Sequence, residues 1–357
     1  MPPLDLTVGS VELTRAICDI PSVSGDEATL ADLIHDAMGK LGHLDVYRDG
    51  DTIVARTHLG RAQRVVIAGH LDTVPINRNL PTREIEQDGE PYLWGRGTVD
   101  MKSGTAVQLT LAAELVEPRV DLTWMWYDHE EVDADLNGLT RLSRTRPDLF
   151  AGDFAILGEP SNGFVEGGCN GNLRLIVRTH GERAHSARAW MGRNAIHRAA
   201  PILERLAEYR PREVEVEGLV YREGLNAVRI AGGVAGNVIP DLCEVEVNYR
   251  FAPSRTLAEA EAHVREVLEG FEVELVDGAA GARPGLDAPL AQEFLDAVGL
   301  EPRPKYGWTD VARFSALGVP AVNYGPGDPS LAHHDEERVS FRQIEDVERG
   351  LRAWLTA

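Results

Sequence analysis

The alternation of apolar and polar positions changes character several times along this chain, and each change predicts a different kind of element. Residues 10 to 41 carry apolar side chains at helical spacing, broken by "DIPSVSGDE", where Pro21 and Gly25 predict a loop and Ser24 is placed to cap the next helix. Thereafter the period shortens. "RVVIAGHLDTVP", "LTWMWYDHEE" and "FAILGEP" are apolar runs that each stop abruptly in polar residues, the pattern of strands buried in an α/β sheet. Between the first two, "MKSGTAVQLTLAAELVE" reads as an amphipathic helix. Ligands of open α/β sheets sit beyond the carboxyl ends of the strands, so the polar residues closing these runs should converge on one edge.

From about residue 172 the texture turns to alternating segments such as "NLRLIVRTH" and "CEVEVNYRF", with helical stretches "GRNAIHRAAPILERLAEY" and "TLAEAEAHVREVLEG", as in an α+β unit. The Gly-rich "GAAGARPGL" closes that unit, and α/β character returns with "FSALGVPAVNYGPG" and a final helix "FRQIEDVERGLRAWL". The predicted organisation is a catalytic domain in two parts, 1–171 and 284–357, with an inserted domain over 172–283. A length of 357 residues, more than one ordinary domain needs, agrees with it.

Composition narrows the function classes. With 36 Lys+Arg against 57 Asp+Glu the net charge is −21, and no basic run interrupts it, which argues against nucleic acid or an anionic membrane as partner. Cys18, Cys169 and Cys243 are far apart, odd in number and without a CxxC pair, so free thiols in a reducing compartment are expected. The start "MPPLDLTVGSVEL" has no basic region followed by an apolar core, and no window approaches ~18 uninterrupted apolar residues. A soluble, cytoplasmic protein is the expectation.

Polar residues at the ends of the core strands or in the loops after them carry the candidate chemistry: His70 and Asp72 in "AGHLDTVP", Asp100 in "WGRGTVDMKSG", Glu130 and Glu131, Glu159 in "LGEP", and His333 and His334 in "LAHHDEERV". Each alone is an ordinary loop residue. Together, imidazoles and carboxylates delivered to one sheet edge are what a divalent first-row metal requires, zinc favouring mixed N/O ligands. Rival motifs fail: Asp100 stands where a dinucleotide fingerprint needs its third glycine, and "DMKSG" lacks the glycines of a phosphate loop. Neither HExxH nor GxSxG occurs.

"GHLDTVP", "GRGTVDMKSG", "DHEEVD", "LGEP" and "AHHDEERV", in that order and across nearly the whole chain, resemble the co-catalytic zinc aminoacylase and carboxypeptidase family of metallopeptidase-like hydrolases. The resemblance implies an α/β/α catalytic domain and an inserted α+β, ferredoxin-like domain through which a homodimer forms. It implies two Zn²⁺ ions, Co²⁺ being interchangeable. His70, Asp100 and Glu159 would hold one, and Asp100, Glu131 and His333 the other, with Asp100 bridging. Such a pair, ~3.5–4 Å apart, generates hydroxide near neutral pH and polarises the scissile carbonyl. Glu130 is then the general base, which later protonates the leaving amine. Asp72 is expected to accept the other imidazole N–H of His70 and fix its tautomer. Either His333 or His334 could be the ligand. Family members carry Glu four residues after that histidine and an apolar residue six after, which fits His333 through Glu337 and Val339.

"GERAHSARAWMGRNAIH" resembles the family segment whose histidine crosses the dimer to stabilise the oxyanion, here His185. "EGGCNGNLR", "YREGLN", "GNVIPDL", "NYRFAPS" and "GWTDVARFSALGVPAVNYGPGDPSLAH" are similar to the actinobacterial branch of the succinyl-diaminopimelate desuccinylases. That likeness implies a small N-acyl diamino acid substrate with three carboxylates, N-succinyl-LL-2,6-diaminopimelate. Arg250 would clamp a carboxylate, Asn237 and Thr309 would make polar contacts, and Gly325 to Gly327 would bring main-chain N–H groups near the substrate. One departure is "GGCNG", where proteobacterial desuccinylases carry an arginine: Arg174 or Arg188 compensates for Cys169, or the acyl group differs. The alternatives are a related deacylase such as an acetylornithine deacetylase, a dipeptidase, or a non-catalytic metal-binding paralogue. Glu130 beside a complete ligand set argues against the last.

Overall fold

The computed structural model describes residues 2–357, which divide into two compact units. One comprises the described residues up to Gly167 with Pro284–Arg303 and Thr309–Ala357; the other comprises Gly168–Arg283 and Pro304–Trp308. The short return of chain at 304–308, absent from the expected boundaries, joins the second unit where Asn170 N–H donates to the Lys305 carbonyl at 3.1 Å.

In the first unit the three apolar runs form the strands Arg64–His70, Asp121–Tyr127 and Phe154–Leu157, with Ala321–Asn323 beside the third. These four are parallel neighbours, in the order Asp121–Tyr127, Arg64–His70, Phe154–Leu157, Ala321–Asn323. Every residue of Asp121–Tyr127 and Phe154–Leu157 is buried, which is why these strands read as unbroken apolar runs. Antiparallel strands Thr52–Arg56 and Asp45–Asp49 extend one side of the sheet. Parallel pairing puts the carboxyl ends of the central strands on one edge, so His70, Glu130, Glu131 and Glu159 emerge there.

Helices Ser10–Cys18, Lys102–Glu114, Pro289–Val298 and Phe341–Thr356 pack together as one layer. Helix Ala28–Met38 packs separately on the Thr52–Arg56 strand, and Val311–Ala316 on Phe154–Leu157 and Ala321–Asn323. Two expectations are corrected. Helix Lys102–Glu114 is not amphipathic: Lys102 through Ala112 are all buried, because the helix lies between the Arg64–His70 strand and two other helices. Ser24 does not cap Ala28–Met38, whose N-cap is Glu27; its hydroxyl donates to Asp72 Oδ2 at 2.7 Å.

The second unit runs strand, helices, strand, strand, helix, strand: Gly171–His180, Ala195–Arg198 with Ala200–Glu208, Gly224–Gly232, Leu242–Phe251, Leu257–Val267 and Glu272–Ala279. Its antiparallel sheet has Gly224–Gly232 at one edge, then Leu242–Phe251, Gly171–His180 and Glu272–Ala279, the ferredoxin-like arrangement. Leu173, Leu175, Val177, Val245, Val247 and Tyr249 point to one face of the sheet and form its core with Ile202, Ala260 and Val264. A capping box, Thr256 with Glu259, starts helix Leu257–Val267. No helix of the described residues is long and apolar enough to cross a membrane.

Candidate active site

Ligand atoms of His70, Asp100 and Glu131 lie within 4.8 Å of one another at the carboxyl edge of the first unit's sheet. His70 is the last residue of its strand. Its Nδ1 lies 2.9 Å from the main-chain carbonyl of Asp72, which fixes the proton on that nitrogen and turns Nε2 toward Asp100 Oδ1 at 3.1 Å. The expected partner is thereby corrected: the Asp72 carboxylate stands 3.6 Å from Nδ1 and has other work. Its Oδ1 accepts the N–H of Glu130 and its Oδ2 the N–H of Glu131, each at 3.0 Å, so one buried carboxylate holds the turn that presents both glutamates.

Asp100 uses its two oxygens differently. Oδ1 faces His70, while Oδ2 lies 3.4 Å from His333 Nε2, which is itself 3.0 Å from Glu131 Oε1. The neighbouring His334 points elsewhere, its Nδ1 accepting the Glu336 N–H at 3.1 Å. Glu159, two residues beyond strand Phe154–Leu157, is buried, and its charge reaches Glu130, but it is not among the residues whose ligand atoms gather within 4.8 Å.

The electrostatics of this donor set suit a cation. Burial disfavours a charged His70 imidazole, yet Asp100, Asp72 and Glu130 outweigh it and hold its pKa well above the usual histidine range. Hydrogen bonds to Asp100 and Glu131 push His333 up to about 10. Desolvation, reinforced by Asp310, Glu159 and Glu131, keeps the Glu130 carboxyl well above the ordinary carboxylate range, against the pull of His70. Without metal the cluster therefore neutralises its own charge with protons. Divalent cations would do the same and displace them. Two imidazole nitrogens and the carboxylates of Asp100 and Glu131, with Asp100 facing both histidines, fit that role.

Other buried polar groups, not singled out by sequence, hold this edge. Asp128 accepts from the Thr52 hydroxyl, from Arg141 Nη2 at 2.8 Å and faces His129 Nδ1 at 2.7 Å. Glu27 accepts the His129 N–H at 3.1 Å. Asp310 accepts from Asn137 Nδ2 at 3.1 Å. A fully apolar run ending in several acids signals that some are buried, but not which.

The substrate candidates fall out unevenly. Thr309 is buried and its hydroxyl donates to Asn323 Oδ1 at 3.0 Å. Gly325 and Gly327 do not offer free N–H groups, which corrects the expectation: Gly325 donates to Ser161 Oγ at 3.1 Å and Gly327 to Gln343 Oε1 at 2.9 Å. What requires glycine at 325 is space, since a Cβ would meet the Gly158 carbonyl oxygen at 2.1 Å. In the second unit the segments of His185 and Asn237 come together: Ser186 N–H donates to the Asn237 carbonyl at 2.9 Å, and His185 pairs with Val238. His185 is exposed, and its Nδ1 accepts the Ala187 N–H at 3.1 Å, so a neutral ring carries its proton on Nε2. Arg250 is half-buried, which lowers its pKa, and no carboxylate pairs with it among the described residues. Arg174 lies 3.9 Å from Glu246, Arg188 is exposed, and Cys169 is buried.

A layered α/β fold with imidazoles and carboxylates gathered at its strand ends defines a metal-dependent hydrolase scaffold, and the chain belongs to peptidase family M20/M25/M40, whose model matches residues 66–357. It is 53% identical over 355 residues, 99% of both chains, to a putative succinyl-diaminopimelate desuccinylase of Mycobacterium tuberculosis. A succinyl-diaminopimelate desuccinylase of Corynebacterium glutamicum is 49% identical over 366 residues, covering 99% of this chain and 98% of that protein. In fold the chain is similar to a tripeptidase from Staphylococcus aureus, with TM-score 0.78 and 20% identity over 97% of this chain and 96% of that one. It is also similar to an M20 metallo-carboxypeptidase from Sulfolobus solfataricus, with TM-score 0.75 and 16% identity over 99% of each.

Proposed function

We propose that this chain is a metal-dependent amide hydrolase that cleaves N-succinyl-LL-2,6-diaminopimelate to succinate and LL-2,6-diaminopimelate, a step toward lysine and peptidoglycan precursors. The observation that carries this reading is the likeness, over almost the full length of both chains, to two desuccinylases. The gathered ligand set supports the chemistry.

Two divalent cations, Zn²⁺ or Co²⁺, would be held by His70, Asp100 and Glu159 and by Asp100, Glu131 and His333. Bound there, they would acidify water and draw electron density from the scissile carbonyl. The remaining work belongs to side chains. Glu130, with its main chain fixed by Asp72, takes a proton from the attacking water and passes it to the leaving nitrogen. In a homodimer, His185 of the partner subunit would donate from Nε2 to the oxyanion, a contribution worth about 3–4 kcal/mol of barrier. The inserted unit offers the surface for that dimer: the edge strand Gly224–Gly232 exposes Val228 and Ile230, 58% and 49% accessible, and Trp190 is 80% accessible. Arg250 suits a bidentate clamp on one of the three substrate carboxylates, with Asn237 and Thr309 as polar contacts.

The test is release of succinate from the succinyl substrate by chelated protein before and after metal is returned. Activity that depends on the metal supports the reading. Zinc-loaded protein inert on this and other N-acyl amino acids would favour a non-catalytic metal-binding paralogue.

A further inference from the structure

Two loops separated by 237 residues are fastened along each other beside the ligand cluster. Residues 95–100 lead to Asp100, and residues 332–338 present His333. Gly95 N–H donates to the Glu337 carbonyl at 3.0 Å. Arg96 Nη1 donates to Glu337 Oε2 at 2.9 Å and to the His334 carbonyl at 3.3 Å. Both Val99 and Asp100 N–H donate to Glu337 Oε1, at 2.9 and 3.0 Å. The Glu337 and Arg96 side chains are 1% and 4% accessible. Antiparallel pairing of Arg338 with Trp94 continues the fastening.

We infer that Glu337, braced by Arg96, is a positioning residue that fastens the His333 loop against the Asp100 segment and so assembles the second cation site. The inference rests on the two-metal reading above. His70 needs no such help, because it ends a buried strand and its ring is oriented by its own Nδ1 contact. His333 sits on a partly exposed loop with a left-handed backbone, φ 64°. Its placement relative to Asp100 passes through the two anchors that Glu337 supplies, one to the Asp100 main chain and one to Arg96. A carboxylate kept only for an ion pair with Arg96 would have no reason to accept the N–H of a metal ligand. Buried partners that orient ligands typically tune metal affinity by 10- to 100-fold.

Chelated full-length protein titrated with Zn²⁺ and with Co²⁺, by calorimetry and by the visible absorption of the Co²⁺ form, tests this directly. Wild type should take up two ions. Glu337→Gln should bind the first within about threefold of wild type and the second about 10- to 100-fold more weakly, with an altered spectrum for the second Co²⁺. Arg96→Lys keeps the charge and loses the contact with His334; it should show the same selective loss, and it decides the question if Glu337→Gln does not fold. Phe294→Ala, which removes core packing against Phe154 and Trp354, controls for lowered stability and should leave both affinities unchanged. Unchanged binding in the folded variants, or equal weakening at both sites, overturns the inference. Wild-type protein that binds fewer than two ions overturns the two-metal reading instead.

Discussion

Glu130 and Glu131 are adjacent in sequence yet face different tasks, and substitution separates them. Glu130→Gln should retain both metals and lose about 10²–10⁴ in kcat, because only the proton carrier is gone. Glu131→Gln should bind one ion more weakly, since its Oε1 faces His333. Metal content and kcat, measured on the same preparations, distinguish the two. The His333 proton gives a pH prediction. Its pKa is raised to about 10 in the metal-free protein, so at neutral pH an ion must expel that proton to bind. Affinity at this site should therefore rise with pH across the neutral range, by at most about tenfold per unit for each proton released. Calorimetry in buffers of different ionisation enthalpy would show proton release; an affinity that falls with rising pH would contradict the assignment.

At the scale of elements, the sequence makes the strand ends legible because burial on both faces leaves apolar runs with sharp polar stops. His70 and Glu131 were readable for that reason and Asp100 and His333 through the family resemblance, and the four come together in space. The division of labour at Asp72 was not readable. Main-chain N–H groups at Glu130 and Glu131 and a carbonyl at Asp72 decide it, and backbone partners leave no trace in residue type. Asp128 likewise resembles its solvated neighbours Asp133 and Asp135 in sequence but is buried against Thr52 and Arg141. Helix Lys102–Glu114 misled because its polar residues before Glu114 are buried, Lys102, Thr105 and Gln108 hydrogen-bonded there to main-chain carbonyls. Gly104 within that helix has a spatial reason: a Cβ there would meet the Gly158 carbonyl oxygen at 2.2 Å, one residue before Glu159. Gly104→Ala should thus cost about 1–3 kcal/mol of stability, read by denaturant unfolding, as overpacking does. A neutral result would show that the helix and the Glu159 loop can separate freely.

At the scale of the whole molecule, the outer edge of strand Gly224–Gly232 and the exposed His185 make one joint prediction. If the proposed homodimer pairs through this strand, replacing Val228 and Ile230 together with Lys should turn it into a monomer by light scattering, because charges on an edge strand oppose pairing. If His185 acts across the dimer, that monomer should lose about 10²–10³ in kcat while still binding metal, and His185→Ala should lose a similar factor as a dimer. A monomer with undiminished kcat would remove His185 from the mechanism.

The central claim is the substrate, and a side-by-side assay reaches it most directly. Protein stripped by chelation and reloaded with Zn²⁺ is given N-succinyl-LL-2,6-diaminopimelate and N-acetylornithine, and kcat/KM is measured for each. The account predicts metal-dependent turnover of the succinyl substrate, preferred over the acetyl one by at least about tenfold, as expected if the proposed Arg250 clamp holds the succinyl carboxylate. Turnover of acetylornithine with none of the succinyl substrate would contradict it.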